Sequence, residues 1–266
     1  WFFTEWGFKS LMAHQTKVDK ILQVSALKTY DALTYTHWHP IYNWGPWTLA
    51  GENPEFFTFN NIRHDWINKF DKAIIEHVAE RGVAVQAGGW QGVYPFLLST
   101  MFNLVYTFEP DPLNFFCLNK NCQQDNVLKY QMGLSDAPGL RQFEVVNAPA
   151  YNCLSTGQHR FVGPDPYMNN IQIEKTIDVQ AMPLDSFNLP RLDLLILDTE
   201  GFNLECLKGA EQTIVNNNAV IISENSHNEI NSSQEFAYLQ SLGYKCWGSL
   251  QSYHNDGNND DWLWKK

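Results

Sequence analysis

The sequence predicts an α/β protein built on a mostly parallel central sheet, and three observations carry that prediction. Short apolar strands alternate with helical segments from Val83 to Met132. The alternation resumes from Leu192 to Leu242. The chain then closes on two strand-like segments, Tyr244–Gly248 and Trp262–Trp264, joined by the polar turn His254-Asn-Asp-Gly-Asn-Asn. Strands separated by helices of this length imply parallel βαβ units, and two strands joined by a turn pair antiparallel.

Each element has a local reason. Residues 1 to about 55 carry Trp1, Phe2, Phe3, Trp6, Trp38, Trp44 and Trp47 among Pro40, Gly45 and Pro46, which fits short strands and turns better than a long helix. Asp65–Arg81 reads as a helix with Trp66, Phe70, Ile74, Ile75 and Val78 on one stripe, ended by Arg81-Gly82. Val83–Ala87 is a strand, Gly92–Met101 a helix, Leu104–Phe108 a strand, Leu113–Asn121 a helix after Pro112, and Val127–Met132 a strand. The rhythm breaks between Gly133 and Pro190, where Phe143–Val146 and Ile171–Val179 read as antiparallel strands flanking a loop rich in Gly, Pro and Asn. Long irregular inserts in compact domains are more often functional than accidental. Leu192–Asp198 is a continuous apolar strand of the fully buried kind. Asn203–Val215 then reads as a helix, Ala219–Ser223 as a buried strand, and Ser232–Leu242 as a helix stopped by Gly243. The expected organisation is an aromatic-rich N-terminal extension over 1–80, ending in a helix, and one domain over 81–266 with an insert at about 137–180.

Bulk properties narrow the function. A formal charge of −11 over 266 residues argues against a surface built for a nucleic-acid backbone. Five scattered cysteines without a CxxC pair fit reduced thiols, hence a cytoplasmic protein rather than a disulfide frame or zinc site. The most apolar stretch, Tyr94–Phe108, is interrupted by Ser99, Thr100, Asn103 and Thr107, so no membrane span is expected. The chain opens on Trp1 without an initiating Met, which leaves its true start open.

Three motifs sit where strands end. Val83-Ala-Val-Gln-Ala-Gly-Gly-Trp-Gln-Gly92 is a strand entering a glycine turn. Gly88 and Gly92 would let a ligand approach the backbone, although a tight strand-to-helix turn needs glycine as well. The spacing is not GxGxxG, which argues against a dinucleotide pyrophosphate and so against a nicotinamide-dependent oxidoreductase. Phe108-Glu-Pro-Asp-Pro112 ends the next strand. Glu109 can accept two hydrogen bonds from a ribose diol, and Asp111 before Pro112 is a good helix cap. Leu197-Asp-Thr-Glu-Gly201 places Asp198 and Glu200 at the end of a buried strand, where open α/β sheets keep their ligand crevice. Helix capping is the alternative for one of that pair.

These blocks resemble the FkbM family of S-adenosylmethionine-dependent methyltransferases over roughly residues 80 to 248. Besides Val105–Pro112 and Asp198–Gly201, the resemblance rests on Leu207-Lys-Gly-Ala210, Ile221-Ile-Ser-Glu224, Leu242-Gly-Tyr244, Asn126-Val127 and Gly133-Leu-Ser-Asp136. It implies the class I methyltransferase plan, a Rossmann-like sheet closed by an antiparallel pair. It also implies S-adenosyl-L-methionine as cofactor and O-methylation of a hydroxyl on a small molecule or glycan. By residue it assigns Gln86, Gly88, Gly92, Glu109, Asp111, Ser135, Asp136 and Asp198 to the cofactor. Asp198 and Glu200 would face the reacting end. Gln86 stands where the family usually carries Asp, Trp90 replaces a small polar residue, and Ile196 replaces a frequent Lys.

For an alcohol acceptor a nearby base helps, and the candidates are Asp198, Glu200 and His227, the last just beyond the strand ending at Glu224. Asp198, Glu200 and Glu224 could converge as oxygen ligands for Mg²⁺, but sequence does not show their convergence, and no metal is assigned. His37-Trp-His39 lacks further ligands nearby and reads as packing or surface. His159-Arg160 in the insert could meet an acidic or hydroxylated substrate, but a solvated loop is the favoured reading. A non-catalytic binding or structural protein reusing this fold in a larger assembly is the alternative function, and Gln86 and Trp90 favour it.

Overall fold

A computed structural model describes residues 41–44, 47–50, 67–147, 159–162, 172–224, 234–250 and 261–266. Strands β1 (Ile41–Trp44) and β2 (Trp47–Ala50) form an antiparallel hairpin. Helix α1 (Ile67–His77) precedes β3 (Val83–Ala87), α2 (Val93–Met101), β4 (Leu104–Phe108), α3 (Pro112–Asn121) and β5 (Val127–Tyr130). The insert contributes β6 (Gly133–Leu134), β7 (Gly139–Asn147), β8 (Arg160–Phe161) and β9 (Gln172–Met182). Then come β10 (Leu194–Leu197), α4 (Asn203–Lys208), α5 (Glu211–Asn217), β11 (Val220–Glu224), α6 (Gln234–Ser241), β12 (Lys245–Ser249) and β13 (Asp261–Lys265).

The central sheet has seven strands in the order β12-β13-β11-β10-β3-β4-β5. The neighbours from β11 to β5 are parallel, and β13 joins β11 and β12 antiparallel, as the sequence predicts. A second sheet of the insert runs β6-β9-β7-β8. Alternation along the strands divides the core. Ala84, Val105, Leu194, Ile196 and Ile222 face α1 and α2 on one side of the central sheet. Val85, Tyr106, Leu195, Leu197 and Ile221 face the insert sheet, α4, α5 and α6 on the other. β3, β4 and β10 are buried at every position, and the polar Gln86 and Thr107 within them pair with each other, so the carboxylates stand where these strands end.

Several expected elements change, among them the strand expected over Val127–Met132, which stops at Tyr130. Helix α1 stops at His77 rather than Arg81, because Asp193 Oδ2 accepts the Gly82 and Val83 amides at 2.9 and 2.8 Å and draws the chain into an extended lead-in. The single helix expected over Asn203–Val215 is broken into α4 and α5. A Cβ on Gly209 would lie 1.9 Å from the Ser135 carbonyl oxygen, so the backbones touch there. Asp185 then caps α5, accepting from the Gln212 and Thr213 amides at 3.1 and 2.8 Å. Residues 1–40 of the expected N-terminal extension lie outside the described residues.

Candidate functional site

The chain winds from β3 to β4 and β5 on one side and returns through β10 and β11 on the other. Strand order therefore reverses between β3 and β10, and a crevice opens at the carboxyl ends of the strands at such a point. Gly88, Glu109, Asp198 and Glu224 follow or end the four strands around it.

The glycine loop is held by backbone geometry. The Gly88 and Gly89 amides both donate to the Phe108 carbonyl, at 3.0 and 2.9 Å, fixing the end of β3 against that of β4. Gly88 has φ +85°, and a Cβ there would lie 1.7 Å from the Asp198 carbonyl oxygen. The two loops of the switch point are thus in backbone contact. Gly92 has φ +98°, and its Cβ would lie 2.9 Å from Cys122 Sγ. At both glycines the chain itself fills the side-chain direction, a packing requirement independent of any ligand. Gln86 is fully buried beneath the loop: Oε1 accepts from Thr107 Oγ1 at 2.8 Å and Nε2 donates to the Gly88 carbonyl. The loop is therefore braced by a neutral amide.

Glu109 is buried at 4% exposure. Its Oε2 accepts the Trp90 amide at 2.6 Å and its Oε1 the Asp111 amide at 2.8 Å. Burial, joined by the negative charge of Asp111, pushes its carboxyl well above the usual glutamate range, and the two amides oppose the shift only in part. Each carboxyl oxygen can still take another hydrogen bond.

Asp111 caps α3. Its Oδ1 accepts the Leu113 and Asn114 amides, both at 2.8 Å, and Pro112 opens the helix where no N–H is needed. Its Oδ2 lies 3.0 Å from His159 Nδ1, with both side chains buried. His159 is thus no part of a solvated loop, and the neighbouring Arg160 pairs with Glu144 at 3.0 Å. Strand alternation turns His159 and Phe161 inward and Arg160 the other way. Ser135 is buried and donates to Asp136 Oδ1 at 3.0 Å, and Arg141 Nη2 reaches the same oxygen at 2.6 Å. Through the Ser135 carbonyl this pair packs against Gly209, at the junction of α4 and α5.

Beyond β10 the carboxylates gather. Oxygens of Asp198, Glu200 and Glu224 lie within 4.8 Å of one another, all half-exposed. Glu200 and Gly201 both take left-handed backbone, at φ +50° and +92°, which folds the loop back over the strand end. Thr199 Oγ1 donates to Asn203 Oδ1 at 2.6 Å, and Asn203 Nδ2 donates to the Glu224 carbonyl at 2.5 Å, pinning this loop to β11. The Asp198 charge, then burial and the Glu200 charge, push the Glu224 carboxyl well above the usual range. A proton, a cationic ligand or a divalent ion would relieve such crowding.

Of the residues proposed from sequence, the structure brings Asp198 and Glu200 together and joins Glu109 to Asp111 and to the glycine loop. His227 and His37-Trp-His39 lie outside the described residues. The sequence reading did not commit to Glu224, though its place at the end of Ile221-Ile-Ser-Glu224 was a usable signal. It gave no role to Asn203, the first residue of α4, whose bond to the distant Glu224 carbonyl has no local signal.

The Methyltransferase FkbM domain family matches residues 78–246. Hexuronic acid methyltransferase AglP of Haloferax volcanii is 29% identical over 153 residues, covering 57% of this chain and 59% of that protein. The crystal structure of methyltransferase FkbM from Methylobacillus flagellatus is 15% identical with a TM-score of 0.47, over 70% of this chain and 44% of that one. Precorrin 8W decarboxylase of Methanobacterium thermoautotrophicum is 14% identical with a TM-score of 0.42, over 74% of this chain and 88% of that one. The chain thus spans well under two thirds of the length of the first two relatives.

Proposed function

This chain belongs to the FkbM methyltransferase family, and on that premise we propose that it is an S-adenosylmethionine-dependent methyltransferase acting on a hydroxyl of a glycan or small molecule. The observation that carries the reading is the pairing of two unlike walls across one switch point. Glu109 is a buried carboxyl with one amide on each oxygen, and Asp198, Glu200 and Glu224 form a half-exposed acidic cluster.

The residues present fit the cofactor. A ribose diol offers two hydroxyls, and each Glu109 oxygen keeps room for one. An acidic cluster favours a cationic sulfonium and disfavours phosphates, which agrees with the absent pyrophosphate fingerprint. When bound, S-adenosylmethionine supplies an electrophilic methyl group and the sulfur leaving group. The chain supplies orientation and a place for the acceptor's proton. In this reading Asp198 is the carboxylate that accepts that proton, with the Glu224 carboxyl, raised by the Asp198 charge, beside it. The sugar-type acceptor takes its support from the hexuronic acid named for the Haloferax volcanii relative.

Calorimetric titration with S-adenosylhomocysteine tests the proposal. Saturable binding is expected, weakened roughly tenfold or more by Glu109→Ala, a change of at least about 1.4 kcal/mol. Asp198→Asn should spare the fold and lower methyl transfer to a uronic-acid glycan by about 10²–10⁴-fold. Absence of binding at millimolar S-adenosylmethionine would refute the enzyme reading and leave a binding or structural module.

A further inference from the structure

His159 belongs to the insert, yet its imidazole ends beneath the wall that carries Glu109. A helix cap needs one carboxylate oxygen, and Asp111 Oδ1 takes both α3 amides by itself. The second oxygen is turned to His159 Nδ1 at 3.0 Å, in a pair whose side chains are 1% and 0% exposed. A carboxylate only accepts, so Nδ1 carries the proton of this bond. The Asp111 amide in turn donates to Glu109 Oε1 at 2.8 Å. Imidazole, carboxylate, peptide amide and Glu109 thus form one continuous path. The charged side chain of Lys175 on β9 also lies within electrostatic reach of Asp111.

The segment bearing His159 is fixed independently. Phe161 packs on Phe202 at 4.6 Å and on Phe143 at 5.3 Å between ring centroids. A Cβ on Gly133 would lie 2.3 Å from the Phe161 ring. Phe202 directly follows the Asp198–Gly201 loop. One short segment of the insert therefore reaches both sides, with His159 on Asp111 and Phe161 on Phe202, the residue that follows the acidic loop.

We propose that His159 is a positioning residue of the cofactor site, holding Asp111, and through its amide Glu109, in the geometry that takes a ribose diol. The insert is thereby coupled to cofactor binding, and the inference rests on reading Glu109 as the ribose acceptor. Loss of a buried bond to a charged group is expected to cost roughly tenfold in affinity.

The test compares 5′-methylthioadenosine with its 2′-deoxy analogue, by calorimetry, in the wild-type chain and in His159→Leu. The wild type should prefer the ribose form, and the variant should lose most of that preference while binding the deoxy form nearly as before. A purely architectural role would weaken both ligands alike, and that result, or an unchanged preference, overturns the proposal. Should His159→Leu not fold, His159→Asn decides: its shorter side chain breaks the bond to Asp111 while keeping the site polar, and a retained preference overturns the proposal. His159→Gln, which can still donate to Asp111, should restore the preference to within about threefold, and failure to restore it overturns the proposal too. If the wild type binds neither compound nor S-adenosylhomocysteine, the methyltransferase reading itself falls.

Discussion

The two walls of the crevice are both built from carboxylates, but the chain treats them in opposite ways. On the glycine-loop wall, Glu109 and Asp111 are buried and their oxygens take backbone amides and an imidazole. On the facing wall, Asp198, Glu200 and Glu224 are half-exposed and crowd one another. The first wall spends its charge on fixing backbone, which preorganises it. The second sets three carboxyl groups close together, which raises the Glu224 carboxyl and favours a proton or cation there. A site that holds one end of a ligand rigidly and meets a positive centre with the other needs this division.

Substitutions can break or sharpen the contrast. The largest effect is expected where the walls meet. Gly88→Ala puts a Cβ 1.7 Å from the Asp198 carbonyl in a left-handed backbone position, and should cost on the order of 4 kcal/mol in urea unfolding. An unshifted midpoint would mean that the two loops are not in backbone contact. Next comes Asp111→Ala, which removes a cap from two amides and the carboxylate beside a buried imidazole. A loss of about 2–3 kcal/mol is expected, and a loss below ~0.5 kcal/mol would deny this wall its structural role.

The acidic wall should answer with the opposite sign. Glu224→Gln removes a repelled carboxyl while keeping its shape and should raise stability by about 1 kcal/mol at neutral pH. The pH dependence follows from the raised folded-state values of Glu224 and Glu109. Between the ordinary glutamate value, about 4.3, and the raised values, the folded state binds more protons than the unfolded. Their contribution is complete below that ordinary value and is lost as pH rises through the folded ones. Urea midpoints should therefore fall from pH 5 to pH 8, less steeply in Glu224→Gln. A midpoint that rises with pH over this range would contradict the crowding.

The smallest effect concerns the edge of the glycine-loop wall. Asn121 accepts the Thr48 amide at 2.7 Å and donates to the Thr48 and Gln91 carbonyls at 2.9 and 2.6 Å, tying the β1–β2 hairpin to the loop. Asn121→Ala should change global stability by under about 1 kcal/mol yet speed hydrogen exchange at Thr48. Unchanged exchange there would show that the hairpin is held by other contacts.

Much of this was legible in the chain. Continuous apolar runs marked the buried strands, and Asp111-Pro112 marked a helix start. Glu109 and Asp198 stood where those strands had to end. The break between α4 and α5 was not legible, since Lys208-Gly-Ala210 suits a helix end or a helix interior and only the Ser135 carbonyl decides between them. His159 was misread for a similar reason. A histidine in a polar loop carries no sign of an acid that meets it from another part of the fold. The expected strand Val127–Met132 stops at Tyr130, and the following Gly133–Leu134 forms a separate strand whose pairing with β9 likewise depends on a distant segment.

By itself the sequence determined the order of strands and helices, the antiparallel closure, the cap on α3 and the acids at the strand ends. Periodicity, capping and turn chemistry act between residues a few positions apart, so a linear reading captures them. Only the tertiary structure decided that Gly88 touches the Asp198 backbone and that Glu224 joins Asp198 and Glu200. It alone brought an insert histidine beneath the Glu109 wall. Those pairings join segments far apart in the chain and are selected by close packing of whole elements, which no local pattern encodes.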